Sequence, residues 1–228
     1  MPPPRILRGL KNVTRERWLS ERRADPWFNR AKREGYPSRA AYKLKHIQKL
    51  YSIITPGDVV VELGAAPGGM LKVASELVGE EGLVIGVDLK PIQCSGRNIR
   101  ALRMDIYDPA TPEEILKLTG YEGCDVLISD SSPNLIGAAE VDTLRQLDLV
   151  IRCCEISDKV LKDNGNIVLK AFECPELLSV ERPLRYCFRS YRRVTTPPSL
   201  RKHSSEVYLV GIGRWEAPIA PLLRSALK

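Results

Sequence analysis

No two of the six cysteines (Cys94, Cys124, Cys153, Cys154, Cys174 and Cys187) form a Cys-x-x-Cys pair, and His46 and His203 are the only histidines. Zinc-ligand spacings are therefore missing, and no metal is expected. Six unpatterned thiols suit a reduced, cytoplasmic compartment better than a disulfide framework. No apolar run approaches the ~20 residues that a membrane helix requires, so no membrane partner is expected. The opening MPPPRILRGLKNVTRERW has no apolar core of the secretory type. A G-x-G-x-x-G fingerprint is also missing, which argues against a nicotinamide-linked oxidoreductase.

What is present is globular: 43% apolar and 28% charged residues over 228 positions, enough for one domain with a real core. The net charge is +7 and the pI about 9.1, and the excess is uneven. Residues 1–50 carry 14 basic and 4 acidic side chains, whereas residues 51–228 carry 21 and 24. A second acid-free stretch holds Arg182, Arg185, Arg189, Arg192, Arg193, Arg201 and Lys202. Two basic patches on a balanced body fit a phosphate backbone, and equally fit a solvated arm and a soluble face.

Residues 1–20, rich in Pro and Arg, are expected to form a basic arm, and 21–228 a single domain. Ser38 reads as an N-cap before an amphipathic helix, SRAAYKLKHIQKLYSII, which ends at Thr55-Pro56-Gly57. Apolar strands then alternate with helices. The strands are VVVEL (59–63), GLVIGVDL (82–89), ALRMDI (101–106), DVLISD (125–130) and GNIVLKAF (165–172). Helices follow at MLKVASELV, around Pro112–Leu118, at 140–162 and at 175–187. SYRRVTTP and EVYLVGIG (206–213) close the chain as an antiparallel edge pair. Strands apolar throughout predict an α/β fold, a mostly parallel seven-stranded sheet with helices on both faces.

The window VVVELGAAPGGM is the most informative. Gly64, Gly68 and Gly69 follow a strand and precede a helix, where glycine allows a sharp turn and close approach of a ligand. Pro67 removes an amide that a pyrophosphate would use. A nucleoside without a phosphate at the turn fits better, and the cationic sulfonium of S-adenosylmethionine prefers carboxylates and carbonyls. Glu62 stands where it can orient the turn or the ligand's amino group. Asp88, about twenty residues on, suits ribose hydroxyls, and Asp105 suits an adenine amino group. Each acid alone is also an ordinary loop cap, and the turn alone an ordinary strand-to-helix connection. Three consecutive strands ending in acids make a ligand the better reading.

Asp130 ends the fourth strand, and Lys170 lies inside the apolar run IVLKAF, where an amine is costly unless paired or facing a cleft. Glu206 opens the last strand and Lys43 stands on the first helix. Lys43 alone reads as a solvated helix lysine and Glu206 as an edge-strand charge; as a group they close around the ligand edge.

SRAAYKL, ELGAAPGGM, GVDLKPI, RMDI, SDSSPN, LKAF and SSEVYLV, in this order, resemble the FtsJ/RrmJ-type ribosomal RNA 2′-O-methyltransferase family over about residues 20–213. The resemblance implies a Rossmann-like S-adenosylmethionine-dependent methyltransferase fold. The implied activity is ribose 2′-O-methylation of RNA, most specifically of a uridine in large-subunit ribosomal RNA. Transfer-RNA or cap-type ribose methylation is the alternative, and a non-catalytic RNA-binding module a further one. Lys43, Asp130, Lys170 and Glu206 fall on the family's catalytic tetrad, with Lys170 at its proton acceptor. Gly68, Met70, Asp88, Asp105 and Asp130 fall on its cofactor contacts; Met70 stands where many members have tryptophan. Glu62, Gly64, Pro67 and Gly69 complete the expected cofactor set. Expected RNA contacts are Arg22, Arg23, Arg30, Lys32, Arg33, Arg39, Arg192, Arg193, Arg201 and Lys202. Trp27, Phe28 and Tyr36 offer stacking faces, or else Trp27 and Phe28 pin the arm to the core. A monomer is expected.

Overall fold

A computed structural model of the chain describes residues 25–200, 205–215 and 217–226. The elements run α1 (Pro26–Arg33), α2 (Ala40–Tyr51), β1 (Val59–Leu63), α3 (Gly69–Val78), β2 (Leu83–Val87), β3 (Ile99–Leu102), α4 (Thr111–Leu118), β4 (Cys124–Ser129), α5 (Ala139–Val160), β5 (Leu161–Phe172), α6 (Leu177–Cys187), β6 (Phe188–Val194), a 3₁₀ turn (Pro198–Leu200), β7 (Glu206–Arg214) and α7 (Ile219–Ala226). The basic arm at 1–20, Arg22, Arg23, Arg201 and Lys202 lie outside the described residues.

The seven strands form one sheet in the order β3-β2-β1-β4-β5-β7-β6. The first five are mutually parallel, and β7 runs antiparallel to both β5 and β6. This is the Rossmann-like arrangement expected. Helices α1–α3 pack on one face around Leu44, Ile47, Leu71 and Val73; α4–α7 pack on the other around Ile115, Val150, Leu184 and Leu223. The inner parallel strands β2, β1, β4 and the second half of β5 are buried on both sides, which is why they read as apolar runs, while β3 at the edge leaves Arg100 and Ala101 exposed.

Alternation along the strands sorts the polar residues. Val60, Val126, Ile128, Val168, Tyr208 and Val210 belong to the α1–α3 face. Glu62, Asp130, Lys170 and Glu206 each lie two residues from one of these, so the period of two puts all four on that same face. Lys43 arrives there from α2.

Three local expectations are corrected. Helix α2 spans Ala40–Tyr51, not Ser38 to Ile54; Arg39 is its cap and no side chain caps it. Strand β3 spans Ile99–Leu102, so Asp105 lies in the following loop, not at the strand end. The ladder runs out because β2 ends at Val87, opposite Leu102. β6 begins at Phe188 and ends at Val194, before the Thr-Thr-Pro-Pro segment. Helix α1 adds an element to those expected: Asp25 accepts hydrogen bonds from the backbone N–H groups of Trp27 and Phe28, with Pro26 in the first turn.

Candidate active site

The turn after β1 is tied to β2. The backbone N–H groups of Gly64 and Ala65 both donate to the Val87 carbonyl, at 2.8 and 3.1 Å. That of Ala66 donates to Asp88 Oδ2 at 2.9 Å. Gly64 has φ +77°, and a Cβ there would lie 2.2 Å from Ser131 Oγ, so only glycine lets the turn lie against the loop after β4. A Cβ on Gly69 would lie 2.1 Å from Ser38 Oγ. That close approach brings the start of α2, and with it Arg39 and Lys43, to the turn.

A cavity of about 790 Å³ opens beyond the carboxyl ends of the strands, walled by Gly64, Ala66, Asp88, Asp105, Tyr107 and Asp130, among others. A second, of about 300 Å³, is walled by Ser38, Arg39, Lys43, Glu62, Pro67, Gly69, Lys170 and Glu206. Gly64, Ala66, Asp130 and Ser132 line both, so the two spaces meet at Asp130. Gly68 and Met70 line neither; Met70 is fully buried among Leu71, Val73 and their neighbours. Met70 is thus a core side chain beneath the turn, not a wall of the cavity.

At the junction four ionisable groups converge. Lys43 Nζ lies 2.7 Å from Glu206 Oε1 and 3.6 Å from Asp130 Oδ1. Lys170 Nζ lies 3.2 Å from the same Asp130 oxygen and donates to the Asp130 carbonyl at 2.6 Å. Tyr208, which sequence reasoning takes only as strand core, donates its hydroxyl to Asp130 Oδ1 at 2.7 Å. It faces Lys170 directly across the β5–β7 ladder. Its signal is the period of two: Tyr208 follows Glu206 on the same face.

The electrostatics follow from burial and pairing. Burial raises the Asp130 carboxyl, but Lys170, Lys43 and the Tyr208 hydroxyl outweigh it and hold the group at about 2. Burial pulls the Lys170 ammonium below the ordinary lysine range. Asp130 and Glu206 oppose that shift and Lys43 reinforces it. Burial, with Asp130 and Asp88 nearby, lifts the Glu62 carboxyl well above the usual range, and its Oε2 has no partner among the described residues. Burial likewise lifts the Tyr208 phenol.

The larger cavity fits S-adenosylmethionine. Its volume suits a nucleoside-sized ligand. Its walls combine carboxylates with apolar side chains (Leu89, Met104, Ile106, Val141, Leu144), beside the turn at Gly64 and Ala66. Asp88 already accepts from the Ala66 and Lys90 amides, and Asp105 from the Tyr107 amide, which fixes how both carboxylates are turned.

The expected RNA contacts are dispersed. Arg39 alone among those described walls the catalytic space, where it pairs with Asp25. Arg30 is bonded to Glu34 and lies over the Trp27 and Tyr42 rings, at 5.4 and 4.9 Å from their centroids. Arg193 is held by Glu173 and Glu181. Lys32, Arg33 and Arg192 are exposed. Trp27 packs against Tyr42 with ring centroids 5.0 Å apart, and Tyr36 is buried with its hydroxyl on Glu76. Trp27 and Tyr36 thus clamp α1 to α2, and do not stand free to stack on bases.

Among known proteins, the model of the FtsJ-like methyltransferases matches residues 36–214. A Methanobrevibacter smithii protein named ribosomal RNA large subunit methyltransferase E is 45% identical over 199 residues, covering 86% of this chain and 93% of its own. A protein of the same name from Coxiella burnetii is 39% identical over 199 residues, covering 86% and 93%. A solved Plasmodium falciparum structure, assigned as a ribosomal RNA methyltransferase, superposes with a TM-score of 0.71 at 21% identity, covering 78% of this chain and 98% of that one. This last likeness is one of fold.

Proposed function

Given that the chain belongs to the FtsJ-like methyltransferase family, we propose that it transfers a methyl group from S-adenosylmethionine to a ribose 2′-hydroxyl of large-subunit ribosomal RNA. The relatives' names support the RNA class. The observation that carries the chemistry is the junction of the two cavities at Asp130, with Lys170 Nζ 2.6 Å from its carbonyl.

Bound in the larger cavity, the cofactor supplies a methyl carbon already made electrophilic by its sulfonium. Asp88 and Asp105 would hold its ribose and adenine ends, with Gly64 and Ala66 of the turn walling the same space. The protein's work is then to align a weakly acidic hydroxyl and to remove its proton. Lys170 takes that proton. Its burial favours the neutral amine, and the Asp130 carbonyl accepts one of its N–H bonds, which turns the nitrogen lone pair away from that oxygen. Asp130 stays ionised and fixes both lysines. Lys43, paired with Glu206, keeps a positive charge close by, which stabilises negative charge developing on the attacking oxygen. Asp130 and Glu206 then balance the ammonium that Lys170 becomes.

The RNA crosses the α1–α3 side, with Arg39 on the phosphate nearest the tetrad. Lys32 and Arg33 on α1, and Arg192 on β6, take more distant phosphates. Arg22, Arg23, Arg201 and Lys202, outside the described residues, remain expected phosphate contacts on their charge alone. We read the working form as a cytoplasmic monomer recognising a uridine. Among the described residues no helix is long and apolar enough to cross a membrane.

The test is transfer of labelled methyl from the cofactor to large ribosomal subunits and to transfer RNA, both from cells lacking the gene, followed by mapping of the modified ribose. Labelling of a 2′-oxygen in the large subunit is the expected result. Labelling of transfer RNA alone replaces the substrate and keeps the chemistry; no labelling of any RNA removes the enzyme reading.

A further inference from the structure

Gln146 is a buried amide on α5, 1% exposed, on the helix stripe that includes Asp142, Val150 and Cys153. Its Nε2 donates to two backbone carbonyls, that of Lys170 at 2.8 Å and that of Ser131 at 3.2 Å. The β4–β5 ladder ends at the pair Ser129↔Leu169. Ser131 and Lys170 therefore lie past the point where the two strands bond one another. Two carbonyls have no donor between them, and both are acceptors, so a group with two hydrogens on one atom is needed to join them. A primary amide is such a group. The two acceptors also settle how it is turned, because Oε1 in that place would face oxygen.

The contacts close a ring. Lys170 bonds through its carbonyl to Gln146, Gln146 bonds to the Ser131 carbonyl, and the Asp130–Ser131 peptide leads to the Asp130 carbonyl. That carbonyl accepts from Lys170 Nζ at 2.6 Å. Lys170 is thus held at both ends of a long, flexible stem that otherwise has many rotamers. Ser131 carries the tie further, since its hydroxyl donates to the Leu63 carbonyl at 3.0 Å, beside the glycine turn.

We propose that Gln146 is a positioning residue for methyl transfer: its amide holds the Lys170 backbone to the Asp130–Ser131 segment and so sets where the Lys170 amino group stands relative to the glycine turn. The role rests on Lys170 being the proton acceptor of the function proposed above. A purely structural amide, there only to satisfy two buried carbonyls, would change stability and leave the titration of Lys170 alone. The charged and titratable groups facing Lys170 are Asp130 from the end of β4, Lys43 from α2, and Glu206 and Tyr208 from β7. None of them is on α5.

The experiment uses the full chain with Gln146→Met, which keeps length and bulk without donors, and Gln146→Asn, which keeps both donors on a stem one methylene shorter. Three quantities are read: the single-turnover rate on large ribosomal subunits at saturating cofactor, cofactor affinity by calorimetry, and the Lys170 titration by carbon NMR of labelled lysine. For Gln146→Met the expected rate loss is about 10- to 100-fold, the scale set by a misplacement of an ångström. Cofactor affinity is unchanged, and the Lys170 titration moves up toward the ordinary lysine value as the amine gains water. Gln146→Asn falls between. A wild-type rate in Gln146→Met overturns the proposal, as does a rate loss with an unmoved Lys170 titration. If Gln146→Met does not fold, Gln146→Asn decides by the same two readings. If the wild type itself transfers no methyl group, the functional reading fails, and the Lys170 titration still tests the hold that Gln146 exerts.

Discussion

Lys170 grips Asp130 twice, its Nζ lying 2.6 Å from the backbone carbonyl and 3.2 Å from Oδ1 of the side chain. The two contacts join adjacent parallel strands just where their own ladder stops at Ser129 and Leu169. They fix the amine in the wall of the smaller polar space, beside the Asp130 at which the two spaces meet, rather than leaving it free in a cleft. The roles given to it lead to measurable outcomes.

Replacing Lys170 with alanine removes the proton acceptor and leaves the larger cavity intact, since Lys170 walls only the smaller one. Methyl transfer is expected to fall about 10²- to 10⁴-fold while cofactor affinity persists. Filter assays of labelled large subunits and calorimetry with the cofactor check the two halves separately. Turnover retained in the purified variant removes Lys170 from the mechanism.

The rate should rise with pH. In the proposed mechanism Lys170 acts as the neutral amine, and burial lowers its pKa from the ordinary 10.5. The midpoint of the single-turnover rate is thus expected below that value, with the plateau on the alkaline side. Asp130, held at about 2, stays ionised throughout such a titration. A rate that falls as pH rises from about 6 to about 9 contradicts a neutral-lysine base.

Glu62 gives a stability signature of opposite sign to an ordinary salt-bridged acid. Its carboxyl is raised well above 4.5 in the folded protein, chiefly by burial. The folded state therefore binds the proton more tightly than the unfolded one. The stabilisation this provides is fully present below the unfolded value and is lost as pH rises through the folded value. Glu62→Gln removes the titration. Chemical denaturation of wild type and variant from about pH 4 to about pH 9 should show the wild type losing stability relative to the variant as pH rises; parallel curves count against a protonated Glu62.

Gly64→Ala asks a residue with a Cβ to adopt φ +77° and to lie 2.2 Å from Ser131 Oγ. Such strain is worth about 1–3 kcal/mol. A lower melting temperature together with weaker cofactor binding is expected, because the same displacement moves the turn and the loop after β4. A variant with wild-type melting and cofactor affinity shows that the turn relaxes without cost.

RNA binding should weaken steeply with salt. In the proposed interface the exposed Lys32, Arg33 and Arg192 and the paired Arg39 would contact phosphates, and each such contact would release counterions. Affinity for ribosomal RNA is expected to drop by about tenfold or more between low and physiological ionic strength. Anisotropy titrations at several salt concentrations measure the slope, and a flat line sinks the electrostatic interface.

Much of this arrangement is legible in the chain. The inner parallel strands are buried on both faces, so they read as apolar runs, and β1 is found at its expected limits, Val59–Leu63. Lys170 stands out because an amine inside IVLKAF needs a partner, and the structure supplies Asp130. Tyr208 and Gln146 do not stand out, for different reasons. A tyrosine in a buried strand is ordinary core, and only its hydroxyl makes it part of the site. A glutamine on a helix is ordinary surface, and only its place four residues before buried Val150 hints otherwise. Strand β3 is displaced from ALRMDI because its limits are set by where β2 stops. Trp27 of α1 turns inward to pack on the Tyr42 ring, a partner its place in the sequence does not announce.

The position of β7 couples the sheet to the site. It slots between β5 and β6, both of which precede it in the chain, and it brings Glu206 and Tyr208 to a cluster whose other members are made earlier. Until β7 enters that gap, Lys43 has Asp130 at 3.6 Å but lacks its nearer partner Glu206, and Asp130 lacks the Tyr208 hydroxyl. The strand that closes the antiparallel edge of the sheet is therefore also the one that completes the charge cluster, and freeing it would dismantle both together.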